Sequence, residues 1–200
     1  NRIVEWNEAM HLPEALYNIE QWMRQQENAA TKITEQILQV NSFSHFLAVI
    51  FGIGILTGIG EEMIFRGVLQ RIVQDKNHRA HVAVWICAFL FSAIHLQFYG
   101  FIPRLLLGAF FGYLLVWSKN LWLPIFAHLF NNSTVASISY FTNDKSPYNL
   151  IETIGTSGSP TSWLAGASLI GTVILLYVLY KKVFVSKSKE FFPMEDKITP

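Results

Sequence analysis

The chain has 200 residues, of which 52 % are apolar and 14 % charged, and its net charge is +1. Soluble proteins carry about 25 % charged residues, so this composition argues against disorder, a nucleic-acid binder or an ordinary soluble enzyme, and for a polytopic membrane protein. A single cysteine, Cys87, excludes an internal disulfide, and the polar first 40 residues hold no signal peptide.

Residues 1–42 concentrate acidic side chains, among them Glu14, Glu20, Glu27 and Glu35. Leu16, Ile19, Trp22 and Met23, then Ile33, Ile37 and Leu38, recur at helical spacing. This predicts one or two amphipathic helices outside the hydrocarbon, with Pro13 in a first helical turn. The acidic polar face suits a connecting hairpin better than a lipid-surface helix.

From Asn41 the character changes. Residues 41–60, 82–103, 105–118, 120–143 and 153–180 contain no Asp, Glu, Lys or Arg. A span needs about 20 apolar residues. Segments 43–69, 82–101, 105–118, 120–141 and 163–180 are therefore expected to cross the membrane, 105–118 being short enough to be re-entrant. The expected fold is all-α: a polytopic membrane bundle of about five spans, in which 43–184 is the core and 185–200 a charged tail. Lys and Arg gather in loops 70–81 and 118–120 and in the tail from Lys181, a bias toward a cytoplasmic C-terminus. Gly54 and Gly58, and Gly108 and Gly112, form two GxxxG pairs, read as close helix contacts within the chain. Pro124 starts or kinks its helix. Gly155, Gly158 and Pro160 mark a polar loop over 142–162.

Ionisable groups inside spans are costly and mark function. Here they are Glu61, Glu62, Arg66, His95 and His128, with Asn132 adding an amide. Glu62 and Arg66 are i, i+4 and share a helix face, so they can neutralise each other. Glu61 points about 100° away and has no cation at i+4, which leaves it as a candidate base. Phe91 and His95 are i, i+4 on the next helix, and His128 and Asn132 on another. His78 and His81 form only HxxH in a polar loop.

Three ordered motifs result: Glu61-Glu62-Met63-Ile64-Phe65-Arg66, Phe91-Ser92-Ala93-Ile94-His95 and His128-Leu129-Phe130-Asn131-Asn132. Together they resemble the EExxxR, FxxxH and HxxxN motifs of the CPBP group. These are the CAAX proteases and bacteriocin-processing enzymes, also called Abi proteins, which are intramembrane endopeptidases. The resemblance covers 61–132, and the front segment also looks like that of bacterial members. Complete members usually have further spans before EExxxR, and the chain opens on Asn1 rather than Met, so upstream sequence is expected.

The resemblance implies hydrolysis of a peptide bond in a membrane-associated or prenylated-CAAX-like substrate, in a bacterial cytoplasmic membrane. Two mechanisms fit. In the preferred one Glu61 and His95 activate water and His128 and Asn132 stabilise the oxyanion, with no cofactor. Glu62, Arg66 and Phe91 support them. In the other, Glu61, His95 and His128 ligate zinc, the basis on which the family is often labelled as metalloproteases. Asn132 is a poor zinc ligand and a good oxyanion donor, which favours the first. The partners are lipid and a peptide or protein substrate. A non-catalytic immunity or scaffold protein with the same polar core, and a proton-coupled transporter, are the alternatives.

Overall fold

The computed structural model describes residues 6, 7, 9–77, 79–142 and 158–181. His78, most of the expected loop at 142–162 and the tail beyond Lys181 lie outside them. The described residues are helical throughout their regular structure.

One amphipathic helix, α1 (Tyr17–Leu38), forms the front segment. A single 3₁₀ turn, Glu14–Leu16, precedes it, with Pro13 at its N-cap. The Glu20 carboxylate fixes this entry. It accepts from the Leu12 N–H at 2.9 Å and from the Arg24 guanidinium at 2.7 Å, and lies 3.0 Å from His11 Nδ1. These partners hold the Glu20 carboxyl at a pKa of about 2, with the Arg24 hydrogen bond the largest cause. At the other end Leu38 packs with Val49 and Ala136 in a buried cluster. The front segment is thus built onto the bundle.

The second helix, α2, is continuous through Phe43–Val49, Ile50–Leu56, Thr57–Glu62, Met63–Leu69 and Gln70–Asn77. Ser42 caps its start, accepting from the His45 N–H at 3.2 Å. Ile50–Leu56 and Met63–Leu69 are π-helical. They bracket the short α-helical stretch that carries Glu61 and Glu62, and π turns inside helices are frequent at functional sites.

Helices α3 (Ala80–Ala93), α4 (Phe101–Ser118), α5 (Trp122–Thr142) and α6 (Trp163–Leu179) follow. Lys119, with φ 55°, closes α4 in the left-handed conformation. Asn120 Oδ1 then accepts from the Trp122 N–H at 3.0 Å and starts α5. Pro124 falls in this first turn, where a proline is tolerated. The α6 helix meets the bundle where Tyr180, just past its end, sets its ring edge-on to Trp117 at 6.1 Å.

Both GxxxG pairs are close helix contacts. A methyl group on Gly58 would stand 3.2 Å from the Leu129 backbone nitrogen of α5, and one on Gly54 2.6 Å from Ser133 Oγ. On α4, a methyl on Gly108 would meet Phe91 and Ala88 of α3 at 3.1 and 3.3 Å. Only glycine lets these backbones approach so closely.

The expectation of about five spans is only partly met. Among the described residues two helices are long and apolar enough to cross a membrane, Phe43–Gln74 and Phe101–Ser118. The segment that looked shortest in sequence is therefore one of the two, because Phe101–Pro103 and the flanking Arg104 are drawn into α4. Apolar segment 82–101 does not form one helix: α3 ends at Ala93 and the chain turns through 94–100. The α5 helix is long enough, but Asn131, Asn132, Ser133 and Thr134 lower its hydropathy. The 17-residue α6 is just short.

Candidate active site

Glu61 and Glu62 leave α2 in different directions, as a 100° helical step requires. Glu62 is wholly buried. Its Oε1 accepts from Arg66 at 2.9 Å and from His128 Nδ1 at 2.8 Å. Arg66 also donates to the Gly108 carbonyl at 2.7 Å, and one turn further Gln70 donates to the Gly112 carbonyl at 3.2 Å. The row Glu62, Arg66, Gln70 thereby stitches α2 to α4 and α5. The absent side chains of Gly108 and Gly112 let these donors reach main-chain oxygens.

Aromatic rings enclose the cation. The guanidinium carbon of Arg66 lies 4.8 Å from the centre of Phe91, 5.6 Å from Phe111 and 5.9 Å from Phe65. Phe111 also stacks on His128, with ring centres 4.9 Å apart and planes 22° apart. A desolvated cation over aromatic faces gains about 2 kcal/mol or more, which offsets part of the cost of burial.

Glu61 faces the other way. Its carboxylate stands 4.0 Å from His95 Nε2 and 3.7 Å from His128 Nε2. The Glu61 and His95 side chains are each 26 % exposed, against 0 % for Glu62 and 1 % for Arg66. Both imidazoles are oriented from behind. The Phe91 carbonyl lies 2.7 Å from His95 Nδ1, and a carbonyl only accepts, so this nitrogen carries the proton. The Glu62 carboxylate imposes the same on His128 Nδ1. Both Nε2 atoms are consequently presented to Glu61. The two separations exceed direct hydrogen-bond length, and a single water molecule can bridge gaps of this size.

Of the residues singled out in the sequence, the structure brings together Glu61, His95 and His128 in this way. Glu62 and Arg66 pair as their spacing requires, and Phe91 supplies both a carbonyl to His95 and a ring to Arg66. Asn132 is engaged differently. Its Nδ2 donates to the Ile53 carbonyl at 3.1 Å, within the first π stretch of α2, and its Oδ1 accepts from Asn131 at 3.2 Å.

The zinc reading depends on the same three side chains. Imidazoles held at Nδ1 by a carboxylate and a carbonyl are what metal-ligating histidines usually show. Among the described residues, however, no group of three His, Cys, Asp or Glu side chains is gathered as a metal ion requires.

Sequence reading missed Phe111 and Gln70. Gln70 was legible as the next member of the row that contains Glu62 and Arg66. Phe111 carries no polar atom, and only its place between Gly108 and Gly112 hinted at a role.

Residues 43–134 match the family model described as type II CAAX prenyl endopeptidase Rce1-like. All three motifs fall inside the match, and this segment is similar to that family. The chain is also similar to the uncharacterized protein YpbD of Bacillus subtilis (strain 168), at 29 % identity over 108 residues. The aligned part is 52 % of this chain and 50 % of YpbD, so the chain spans about half the length of that curated relative. No solved structure matches it.

Proposed function

We propose that this chain carries the catalytic core of an intramembrane endopeptidase. Its substrate is a membrane-associated or prenylated-CAAX-like peptide, and the bacterial cytoplasmic membrane is its site of action. The observation that carries the reading is the convergence of Glu61 with two back-held imidazoles on a partly open gap, beside a second glutamate that is buried and ion-paired. The family match supports the reaction class.

In this scheme Glu61 and His95 draw a proton from water, and the oxygen adds to the scissile carbonyl carbon. His128 and Asn132 donate hydrogen bonds to the oxyanion that forms. His128 donates from Nε2 only when doubly protonated, because Nδ1 is already committed to Glu62. Asn132 has a second N–H beyond the one given to Ile53. Collapse of the intermediate breaks the C–N bond, and the proton taken from water passes to the leaving amine.

A zinc-dependent form of the same reaction is the second reading, favoured by the way both Nδ1 atoms are held. The test uses purified protein in lipid vesicles with a farnesylated CAAX-type peptide and its unprenylated twin. Cleavage that persists after exhaustive chelation and vanishes in Glu61→Ala supports the metal-free scheme. Stoichiometric zinc lost together with activity selects the second reading. Proton-coupled uptake without proteolysis makes the chain a transporter. Neither activity under any condition makes it a scaffold or immunity protein.

A further inference from the structure

His95 does not sit within the body of a helix. It lies two residues beyond the end of α3, in the turn 94–100 that leads to α4. Its neighbour Leu96 has φ 53°, a left-handed conformation that costs a non-glycine residue roughly 1–2 kcal/mol. Such a residue persists only where its surroundings over-determine it.

Much of what surrounds this turn comes from the far end of the sequence. Asn7 is completely buried, and its Nδ2 donates to the Phe98 carbonyl at 3.0 Å and to the Tyr99 carbonyl. The Glu27 carboxylate accepts from the Tyr99 N–H at 3.0 Å. Arg24 lies over the Tyr99 ring at 4.5 Å, and Trp22 packs on Phe98 with ring centres 5.4 Å apart. The Tyr99 N–H and the Phe98 and Tyr99 carbonyls are thereby met by residues more than 70 positions away, while the Gln97 carbonyl accepts from Arg104 of α4 at 3.4 Å. Buried main-chain groups need such partners. Asn7 Oδ1 has no partner among the described residues, a cost tolerated where a group is needed in one place.

We propose that the front segment is a positioning arm for His95. Asn7 and Glu27 clamp the 94–100 turn, and the clamp fixes the imidazole at its distance from Glu61. This rests on the peptidase reading for its catalytic consequence and on geometry alone for the clamp. Asn7 and Glu27 act through His95, as positioning residues.

The experiment uses the full chain in lipid nanodiscs, with Asn7→Asp, Glu27→Ala and Glu27→Gln. Aspartate keeps the size of Asn7 and loses its donor. Glutamine keeps an acceptor for the Tyr99 N–H. Amide exchange in 94–100 is expected to quicken about tenfold in Asn7→Asp and Glu27→Ala, with α4 unchanged, and to return toward wild type in Glu27→Gln. On the farnesylated peptide, kcat should fall about 10-fold to 100-fold at constant KM, and no further when His95 is already alanine.

Unchanged exchange in both disruptive variants overturns the clamp. Faster exchange with unchanged kcat overturns the link to His95. If Asn7→Asp does not fold, Glu27→Ala and its rescue by Glu27→Gln decide the matter. A wild type without peptidase activity overturns the peptidase reading instead. The arm is then judged on exchange and on the His95 imidazole resonance, which the variants must shift.

Discussion

Glu61 and Glu62 are adjacent in the chain, yet they have opposite surroundings. Glu62 is dry and paired, and its row continues through Arg66 and Gln70 into the backbone of α4. Glu61 is partly open, and it meets two imidazole nitrogens across gaps too long for direct bonds. The difference separates holding from reacting. A buried carboxylate with one oxygen held by both a guanidinium and an imidazole N–H builds the fold, and one left partly open beside two nitrogens can move protons.

The largest effect should come from breaking the open side without touching the closed one. Glu61→Gln is expected to lower kcat about a thousandfold while leaving the unfolding midpoint in place. Cleavage at more than a tenth of the wild-type rate would end the assignment of Glu61 as base. The closed side should behave in the reverse manner. Arg66→Ala leaves the Glu62 charge buried and should cost about 3–5 kcal/mol of stability, seen as a collapse in folded yield. Arg66→Lys can still reach Glu62 but cannot also fork to the Gly108 carbonyl, and should fall between the two. A yield for Arg66→Ala equal to wild type would show that the row does not hold the helices together.

A smaller effect separates glycines that let helices meet from those that do not. A methyl on Gly112 would lie 3.0 Å from both Gln70 Oε1 and a Val84 methyl, whereas one on Gly52 meets nothing within 4 Å. Gly112→Ala should cost about 1–3 kcal/mol in thermal unfolding, and Gly52→Ala should be neutral or stabilising by up to about 1 kcal/mol. Equal effects would mean that α2 and α4 do not approach as described.

The smallest effect concerns the entry to α1. The Glu20 carboxyl titrates at about 2, below its ordinary 4.5. A depressed pKa stabilises the folded state above the unfolded value, and that contribution fades as pH falls from about 4.5 through 2. The protection of amides over 11–24, relative to their intrinsic exchange at each pH, should therefore fall across this window, and Glu20→Gln should abolish that fall. A flat protection profile in the wild type would mean that the Arg24 and Leu12 bonds do not hold the entry.

Much of the site was legible because it is local. The i, i+4 spacing of Glu62 and Arg66, and the 100° step to Glu61, follow from helix geometry alone. The same arithmetic made His95 follow Phe91 by one turn, and the chain uses that turn for the Phe91 carbonyl. The GxxxG pairs were readable as contacts, but not which helix each would meet. The span count is met only in part, because apolar character and helix do not coincide everywhere among the described residues. Segment 82–101 carries no Asp, Glu, Lys or Arg, yet its last third is a turn in which Asn7 meets the Phe98 and Tyr99 carbonyls and Glu27 the Tyr99 N–H.

The sequence by itself determined the helical character, the apolar core from 43 onward, and the identity of the few polar groups inside it, since these depend on composition and on the 3.6-residue period. Only the tertiary structure decided which side of α2 is closed, that Asn132 reaches back to Ile53, that Phe111 stacks on His128, and that a residue as early as Asn7 anchors the turn bearing His95. Those contacts join residues far apart in the chain, and no local periodicity encodes a partner chosen by how helices pack.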